Sequence, residues 1–177
     1  ATNNIASINN IQYNASMIVC KANLQYIARL VRHKNKSLCI VDGGADTHVF
    51  GYSWLPLFTV GPHTKKADII GFDEMAARKQ NLPIGPHATK VKDDRGRTII
   101  LRASHGVSNN SANHTLLCAF EMRQIGIIVD DVHKTHNKSI QGDKGTQSIM
   151  FQDGTTVDLR CKSTLMTCES SRPTMEE

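Results

Sequence analysis

The first clear feature of the hydrophobic pattern is a short continuous apolar run at residues 38–41, set between polar stretches. Four consecutive apolar residues are typical of a strand buried on both faces, because no alternate position has to face water. The run leads directly into Asp42, Gly43 and Gly44. Two adjacent glycines after a buried strand predict a tight turn with a close approach of the backbone.

Two β-hairpins are predicted further along the chain. Their paired segments are residues 89–92 with 98–102, and residues 148–151 with 155–159. The segments alternate or are rich in β-forming residues, and the turns between them contain Asp-Gly or Asp-Asp-Arg-Gly. Such turn residues between strand-like segments favour hairpins.

Helical periodicity is limited to two places. Apolar residues at Cys20, Leu24, Ile27 and Val31 have the spacing of one face of a short helix. Residues 116–129 predict a strand followed by a short helix that ends near Gly126. Many short strands and few helices favour a mainly β domain, either closed or sandwich-like.

Composition narrows the classes of protein that are possible. A chain of 177 residues can bury roughly 70% of its unfolded surface as one domain, so it needs no disulfide or metal for folding. Five irregularly spaced cysteines predict reduced thiols in the cytoplasm. The charge of +5 is spread along the chain, and no aromatic residues have a spacing suited to base stacking, which argues against a nucleic-acid partner. No apolar run approaches the roughly 18 residues that cross a membrane, which argues against a membrane partner.

Common catalytic and metal-binding motifs are missing, which leaves the stretch around Asp42 as the candidate site. There is no Gly-x-Ser-x-Gly, no P-loop, and no Cys-x-x-Cys to complete a site with His133 and His136. At Asp42 a carboxylate ends a buried strand, and the N–H groups of the following glycines can orient it. The alternative is an ordinary solvated turn, in which Asp and Gly are common.

Two segments resemble retroviral-type aspartic proteases. Residues 38–47, with Asp42-Gly43-Gly44-Ala45-Asp46, are similar to the active-site loop of that family, in which apolar residues precede Asp-Thr/Ser-Gly-Ala-Asp/Ser. Residues 116–126, which begin Leu-Leu and end Gln-Ile-Gly, resemble the family's second motif, a strand followed by a short helix. The form of this second segment is most similar to that of copia-type LTR retrotransposon proteases.

The resemblance implies a small closed-barrel, acid-protease-like fold with one or two short helices. It also implies an aspartic endopeptidase that processes a retrotransposon polyprotein in the cytoplasm, including inside virus-like particles. Such an enzyme needs two carboxylates that share one proton, because like charges a few ångströms apart cannot both ionise. One carboxylate activates water and the other hydrogen-bonds the scissile carbonyl, with no metal and no cofactor. Since the chain has one such loop, the second Asp42 is expected from a second copy in a two-fold homodimer.

The resemblance also assigns roles to neighbouring residues. Asp42 is catalytic, and Gly43, Gly44 and Ala45 complete the active-site loop. The substrate, a peptide or polyprotein segment, would contact the following residues: Asp46, Ile69, Ile70, Gly71, Leu116 and Leu117. Of these, Asp46 would bind the substrate backbone, the two leucines would line the floor behind the loop, and residues 67–72 would form the flap. The hairpin at residues 90–102 is the alternative flap, and core packing is the alternative role for the two isoleucines.

Position 43 departs from the family pattern. The usual Thr or Ser hydroxyl ties the two copies together, and its loss removes about 0.5–1.5 kcal/mol per hydrogen bond. A second interpretation therefore stays open: a weak or inactive protease-like module that dimerises or binds peptides within the polyprotein. The predicted core spans residues 37–132. Residues 1–36 are predicted as an N-terminal segment with a short helix, and residues 133–177 as a C-terminal hairpin extension and linker.

Overall fold

The structure, a computed structural model, describes residues 17–20, 37–71, 78–133 and 146–174. Within these ranges it contains short strands and one helix. The elements in chain order are β1 (Met17–Cys20), β2 (Ser37–Asp42), β3 (Val49–Phe50), β4 (Leu55–Pro56), β5 (Lys66–Gly71), β6 (Lys79–Pro83), β7 (His87–Lys92), β8 (Thr98–Ala103), β9 (Val107–Ser108), β10 (Thr115–Cys118), α1 (Ala119–Gln124), β11 (Ile128–Val129), β12 (Ser148–Met150), β13 (Thr156–Asp158), β14 (Arg160–Lys162) and β15 (Leu165–Ser170).

The central sheet has six strands in the order β14-β15-β2-β10-β3-β9. β2 lies inside it, antiparallel to β15 and parallel to β10. Residues 37–41 of β2 are all buried, which confirms the prediction of a strand covered on both faces. β10 lies between β2 and β3, so the strands before and after the Asp42 turn flank the strand of the second motif.

Three smaller sheets have the orders β1-β5-β6, β4-β7-β8 and β11-β12-β13. Both predicted hairpins are confirmed as β7–β8 and β12–β13. Their turns contain Gly96 and Gly154, at φ values of 77° and 82°. Glycine fits these positions because other residues rarely adopt the left-handed region.

The main hydrophobic core lies between the central sheet, the β7–β8 hairpin and the β12–β13 hairpin. Phe50 is fully buried there and stacks on Trp54 with ring centroids 4.5 Å apart. A separate small cluster joins buried Ala45 and Cys118 to the partly buried side chains of Ile69 and Leu116. This small cluster places apolar packing directly under the turn that follows Asp42.

The prediction of a mainly β fold with one or two short helices is confirmed, but the closed barrel is wrong. None of the four sheets formed by the described residues closes on itself, and each ends in two edge strands. Closure requires strands that carry a continuous register around the barrel. β3, β4 and β9 have only two residues each, which is too short for such a register.

The structure corrects the predicted start of the N-terminal helix. Cys20 was expected to begin a helix, but it is the last residue of β1, which pairs in parallel with β5. Because β5 lies far along the chain, its pairing with β1 leaves no signal in the sequence around Cys20. The apolar spacing after Cys20 is local, and it favours a helix. The other positions of the predicted helix lie outside the described residues.

At the C-terminal side, β15 pairs with β2 in antiparallel register from Met166↔Val41 to Ser170↔Ser37. The residues predicted as an extension and linker therefore supply the strand next to the one that carries Asp42. This pairing buries the side chains of Thr167 and Cys168.

Candidate active site

Asp42 is the last residue of β2 and the first of that strand that is not fully buried. The backbone N–H of Gly44 donates to its Oδ1 at 2.8 Å. The N–H of Ala45 lies 3.5 Å from the Asp42 carbonyl oxygen. The carboxylate is thus oriented by the backbone of its own turn, as the sequence predicts.

Gly43 is exposed, and a Cβ added at this position would meet no atom within 4 Å. The expected close approach of the backbone is therefore wrong for Gly43. The position has room for the Thr or Ser side chain that the aspartic protease pattern carries there.

The second motif lies directly beside the Asp42 turn. β10 pairs with β2 in parallel so that Cys118 is opposite Asp42 and Leu117 is opposite Val41. The Cys118 thiol donates to the carbonyl oxygen of Ala45 at 2.9 Å. Two segments that are 73 residues apart in the chain are therefore joined at one site.

The two leucines of the second motif face opposite sides of the sheet, as adjacent residues in a strand do. Leu116 packs against the Ala45–Cys118 cluster behind the loop. Leu117 is 4% exposed and belongs to the main core. Of the pair, Leu116 is the one that contacts the floor of the candidate site.

The two flap candidates differ in where their side chains pack. Ile69 of β5 contacts the Ala45–Cys118 cluster, and β5 pairs antiparallel with β6. The residues that join these strands, 72–77, lie outside the described residues. The competing β7–β8 hairpin instead buries Val91 in the main core and pairs with β4.

The remaining predicted contact residues lie on two segments. Asp46 is exposed in the loop between β2 and β3. Ile70 is half-buried, and Ile70 and Gly71 pair with Val19 and Cys20 of β1.

A polar cluster of His48, His105 and Glu121, which the sequence patterns do not indicate, lies behind the loop. The Nδ1 atom of His48 accepts the backbone N–H of Cys118 at 3.0 Å. Oε2 of Glu121 accepts the backbone N–H of His48 at 3.2 Å and lies 3.3 Å from its Nε2. His105 Nε2 lies 3.5 Å from the other oxygen of Glu121. His48 directly follows the first motif segment and Glu121 lies within the second, but neither pattern assigns them a role, and His105 lies outside both segments.

The titration of this cluster follows from burial and from the central carboxylate. Burial lowers the pKa of His48, although the charge of Glu121 opposes the shift. Burial acts to raise the pKa of Glu121, but the hydrogen bond from His105 and the proximity of His48 outweigh it and lower that pKa. The same hydrogen bond raises the pKa of His105. His105 is therefore protonated before His48 as the pH falls.

A cavity of about 340 Å³ lies on the core side of the cluster. Its lining is mostly apolar, with Trp54, Leu117 and Phe151 among the walls, and it also reaches His48 and Glu121. Asp42 is not part of its lining. The cavity is thus separate from the turn that carries the candidate catalytic carboxylate.

The hydrogen bonds of His48 also determine which of its ring nitrogens carries the proton. Because His48 Nδ1 accepts an amide proton, the neutral ring carries its own proton on Nε2, the nitrogen that faces Glu121.

Across residues 17–20, 37–71, 78–133 and 146–174, no group of three or more His, Cys, Asp or Glu side chains is arranged to hold a metal ion.

Among the residues that the structure describes, no helix has both the length and the apolar composition that crossing a bilayer requires.

The resemblance to aspartic proteases rests on the two motifs and their contact. Comparison of the chain with protein-family models, with curated proteins and with solved structures finds no match in any of the three.

Proposed function

We propose that the chain is an aspartic endopeptidase that acts as a two-fold homodimer, with Asp42 of each copy forming the catalytic pair. One observation carries the proposal: Asp42, in a turn that orients its carboxylate, lies opposite Cys118 at the end of the second motif. Each motif alone is weak. The proposal is supported by their contact at one site, where Cys118 pairs with Asp42 and its thiol donates to the Ala45 carbonyl oxygen.

The proposed chemistry uses the carboxylate pair alone. One Asp42 carries the shared proton and hydrogen-bonds the scissile carbonyl oxygen, while the other removes a proton from the attacking water. Water adds to the carbonyl carbon, and the C–N bond breaks as the amine nitrogen takes up a proton. The Gly44 amide at 2.8 Å holds the carboxylate plane for both roles.

The proposed substrate is an extended peptide segment of a retrotransposon polyprotein, cleaved in the cytoplasm or inside virus-like particles. The packing of Ile69 against the Ala45–Cys118 cluster supports the β5–β6 pair as the flap that covers it. The exposure of Asp46 is compatible with a contact to the substrate backbone. Closing such a flap would exclude water from the reacting bond.

The direct test is Asp42→Asn, assayed on a peptide library at mildly acidic pH. An amide cannot ionise, so cleavage is expected to fall by about 10³-fold or more while the fold is retained. Asp153→Asn is the matched control, because Asp153 Oδ1 also accepts the amide two residues ahead, that of Thr155 at 2.9 Å. This control variant should cleave like the wild type. Undiminished cleavage by Asp42→Asn would reject the assignment.

A second function, a protease-like module that dimerises or binds peptides without cleaving them, is favoured by Gly43. This residue is exposed and surrounded by open space, so it supplies no hydroxyl to tie two loops together. For such a module, neither the wild type nor Asp42→Asn would cleave peptides, although the wild type would still self-associate.

A further inference from the structure

Two histidine rings hold the two ends of the β2–β10 pair in the same way. At one end, His114 Nδ1 accepts the backbone N–H of Leu38 at 3.2 Å. At the other end, beside Asp42, His48 Nδ1 accepts the backbone N–H of Cys118 at 3.0 Å. A ring nitrogen can accept such a proton only while that nitrogen is itself unprotonated.

His48 differs from His114 in being fixed by a carboxylate. Oε2 of Glu121 accepts the backbone N–H of His48 at 3.2 Å. The same oxygen lies 3.3 Å from the ring Nε2 of His48. The ring also stacks on Phe50, with centroids 5.7 Å apart. The ring orientation that presents Nδ1 to Cys118 is therefore held from two sides.

The bond between His48 and Cys118 is linked to the Asp42 turn through two contacts. Cys118 is opposite Asp42 in the sheet, and its thiol donates to the Ala45 carbonyl oxygen at 2.9 Å. The Ala45 N–H in turn lies 3.5 Å from the Asp42 carbonyl oxygen. A shift of the Cys118 backbone would thus displace the turn that orients the Asp42 carboxylate.

We propose that His48 is a positioning residue: its neutral ring, held by Glu121, fixes the end of β10 beside Asp42, and protonation of that ring releases it and sets the acid limit of activity. A protonated ring places an N–H donor on Nδ1, opposite the N–H donor of Cys118. Two donors repel each other, so the ring or the strand end must move. The inference deepens the proposed protease function, and its kinetic part rests on that function.

The groups around His48 determine when the ring protonates. Glu121 from α1 favours the charged ring, and burial and a charged His105, from the segment after β8, oppose it. The thiol of Cys118 faces the same region from β10, and the charge of Asp46 in the loop acts on that thiol. Since His105 takes up its proton first and shares the Glu121 carboxylate, its charge further opposes protonation of His48.

Two substitutions at position 48 separate the two ring nitrogens. In His48→Asn the side-chain oxygen takes the place of Nδ1, so it can accept the Cys118 amide but cannot titrate. In His48→Gln the amide group reaches toward Glu121 instead, and the acceptor for Cys118 is lost. His114→Asn is the matched control, because it makes the same change at the end of the strand pair away from Asp42.

The kinetic experiment measures kcat and KM for a cleaved peptide across the acidic range for the wild type and the three variants. The acid limit of kcat should move by about one pH unit or more to lower pH in His48→Asn. His48→Gln should lose about tenfold or more in kcat at every pH, since a small misplacement of a catalytic group is costly. His114→Asn should keep the wild-type profile. An unchanged acid limit in His48→Asn, in a protein whose cleavage depends on Asp42, would overturn the inference.

A second measurement needs neither a variant nor proteolysis. NMR of the wild-type protein follows the His48 ring and the Cys118 amide as the pH is lowered, while the fluorescence of Trp54, the single tryptophan, reports global unfolding. This control matters because burial lowers the pKa of His87 to about 4, and protonation of that ring weakens the whole fold.

The NMR result distinguishes the inference from the proposed function. The Cys118 amide shift should change with the same midpoint as the His48 ring, before Trp54 reports unfolding. If it does so in a protein that cleaves nothing, the positioning contact stands and the protease function fails. If the amide is insensitive to the ring, the inference fails whatever the protein cleaves.

Discussion

The turn at Asp42 and the turn at Asp93 begin alike and are built differently. Each follows a strand, and each has an Asp whose Oδ1 accepts the backbone N–H two residues ahead, at 2.8 Å for Asp42 and 3.1 Å for Asp93. The Asp93 carboxylate also accepts the Arg97 N–H and Nε–H, both at 2.7 Å. Its side chain is fully buried, whereas Asp42 is only half-buried and is followed by exposed glycine.

The difference shows what turns a common local motif into a candidate site. At Asp93 the charge is neutralised within the hairpin by Arg97, and the carboxylate serves the fold. At Asp42 the turn is made from glycine backbone, and the residue opposite is the cysteine of a distant motif. We infer that Asp93 contributes to stability and Asp42 to chemistry, and substitutions at the two positions can separate these contributions.

The largest effect on stability is expected from Asp93→Asn. The amide keeps the shape of the side chain but loses the charge-assisted bonds to Arg97, which are stronger than neutral ones. The melting temperature at neutral pH should fall by about 3–6 °C, while cleavage per folded molecule should not change. Asp42→Asn, measured alongside, should show the reverse: lost cleavage and an unchanged melting temperature.

The difference in melting temperature between the wild type and Asp93→Asn should depend on pH, which gives a second test. Burial acts to raise the pKa of Asp93, but the hydrogen bonds from Arg97 outweigh it and lower the pKa from its ordinary value of 3.8. Because the pKa of Asp93 is lower in the folded state than in the unfolded state, its charged form stabilises the fold above about pH 4. This contribution is lost as the pH falls through the folded-state pKa. Thermal melts of the wild type and Asp93→Asn should therefore converge below that pH, and a constant gap would contradict the assignment of the charge.

A smaller effect is expected from Gly43→Thr. A Cβ added at this position meets no atom within 4 Å apart from its two chain neighbours, so the fold should tolerate a small side chain there. A hydroxyl that bonds to the partner loop would tighten the homodimer by roughly threefold to tenfold per hydrogen bond. Sedimentation equilibrium of the wild type and the variant measures this change.

Gly43→Val is the control for that experiment. Valine has nearly the size and branching of threonine but no hydroxyl, so it should leave the dimerisation constant close to that of the wild type. If both variants tighten the dimer equally, the effect comes from the backbone or from apolar contact and not from a hydrogen bond.

Features that are encoded locally could be predicted from the sequence. The hairpins at β7–β8 and β12–β13 follow from turn residues placed between short strand-like segments, and Gly96 and Gly154 adopt the backbone conformation that such turns need. A strand followed by a short helix within residues 116–129 is also predicted, since apolar residues with β spacing give way there to helical spacing, and the structure places the transition after Cys118. The buried character of β2 follows from its continuous apolar run.

Features that depend on distant pairing could not be predicted. β15 lies against β2, and β1 lies against β5, although neither pair is close in the sequence. The His48–Glu121 contact joins residues 73 positions apart and has no motif of its own. In the candidate site, Asp42 and Leu116 are predicted from their patterns, whereas the contact of His48 with the Cys118 amide required coordinates.

The central claim, that two copies of Asp42 form one active site, is tested most directly by mixing the wild type with Asp42→Asn at equal concentrations and fixed total protein. After subunit exchange, only the dimers with two wild-type chains should cleave, so activity should fall to about one quarter of that of the wild type alone. A fall to only about one half would mean that each chain works with its own Asp42, and it would contradict the account.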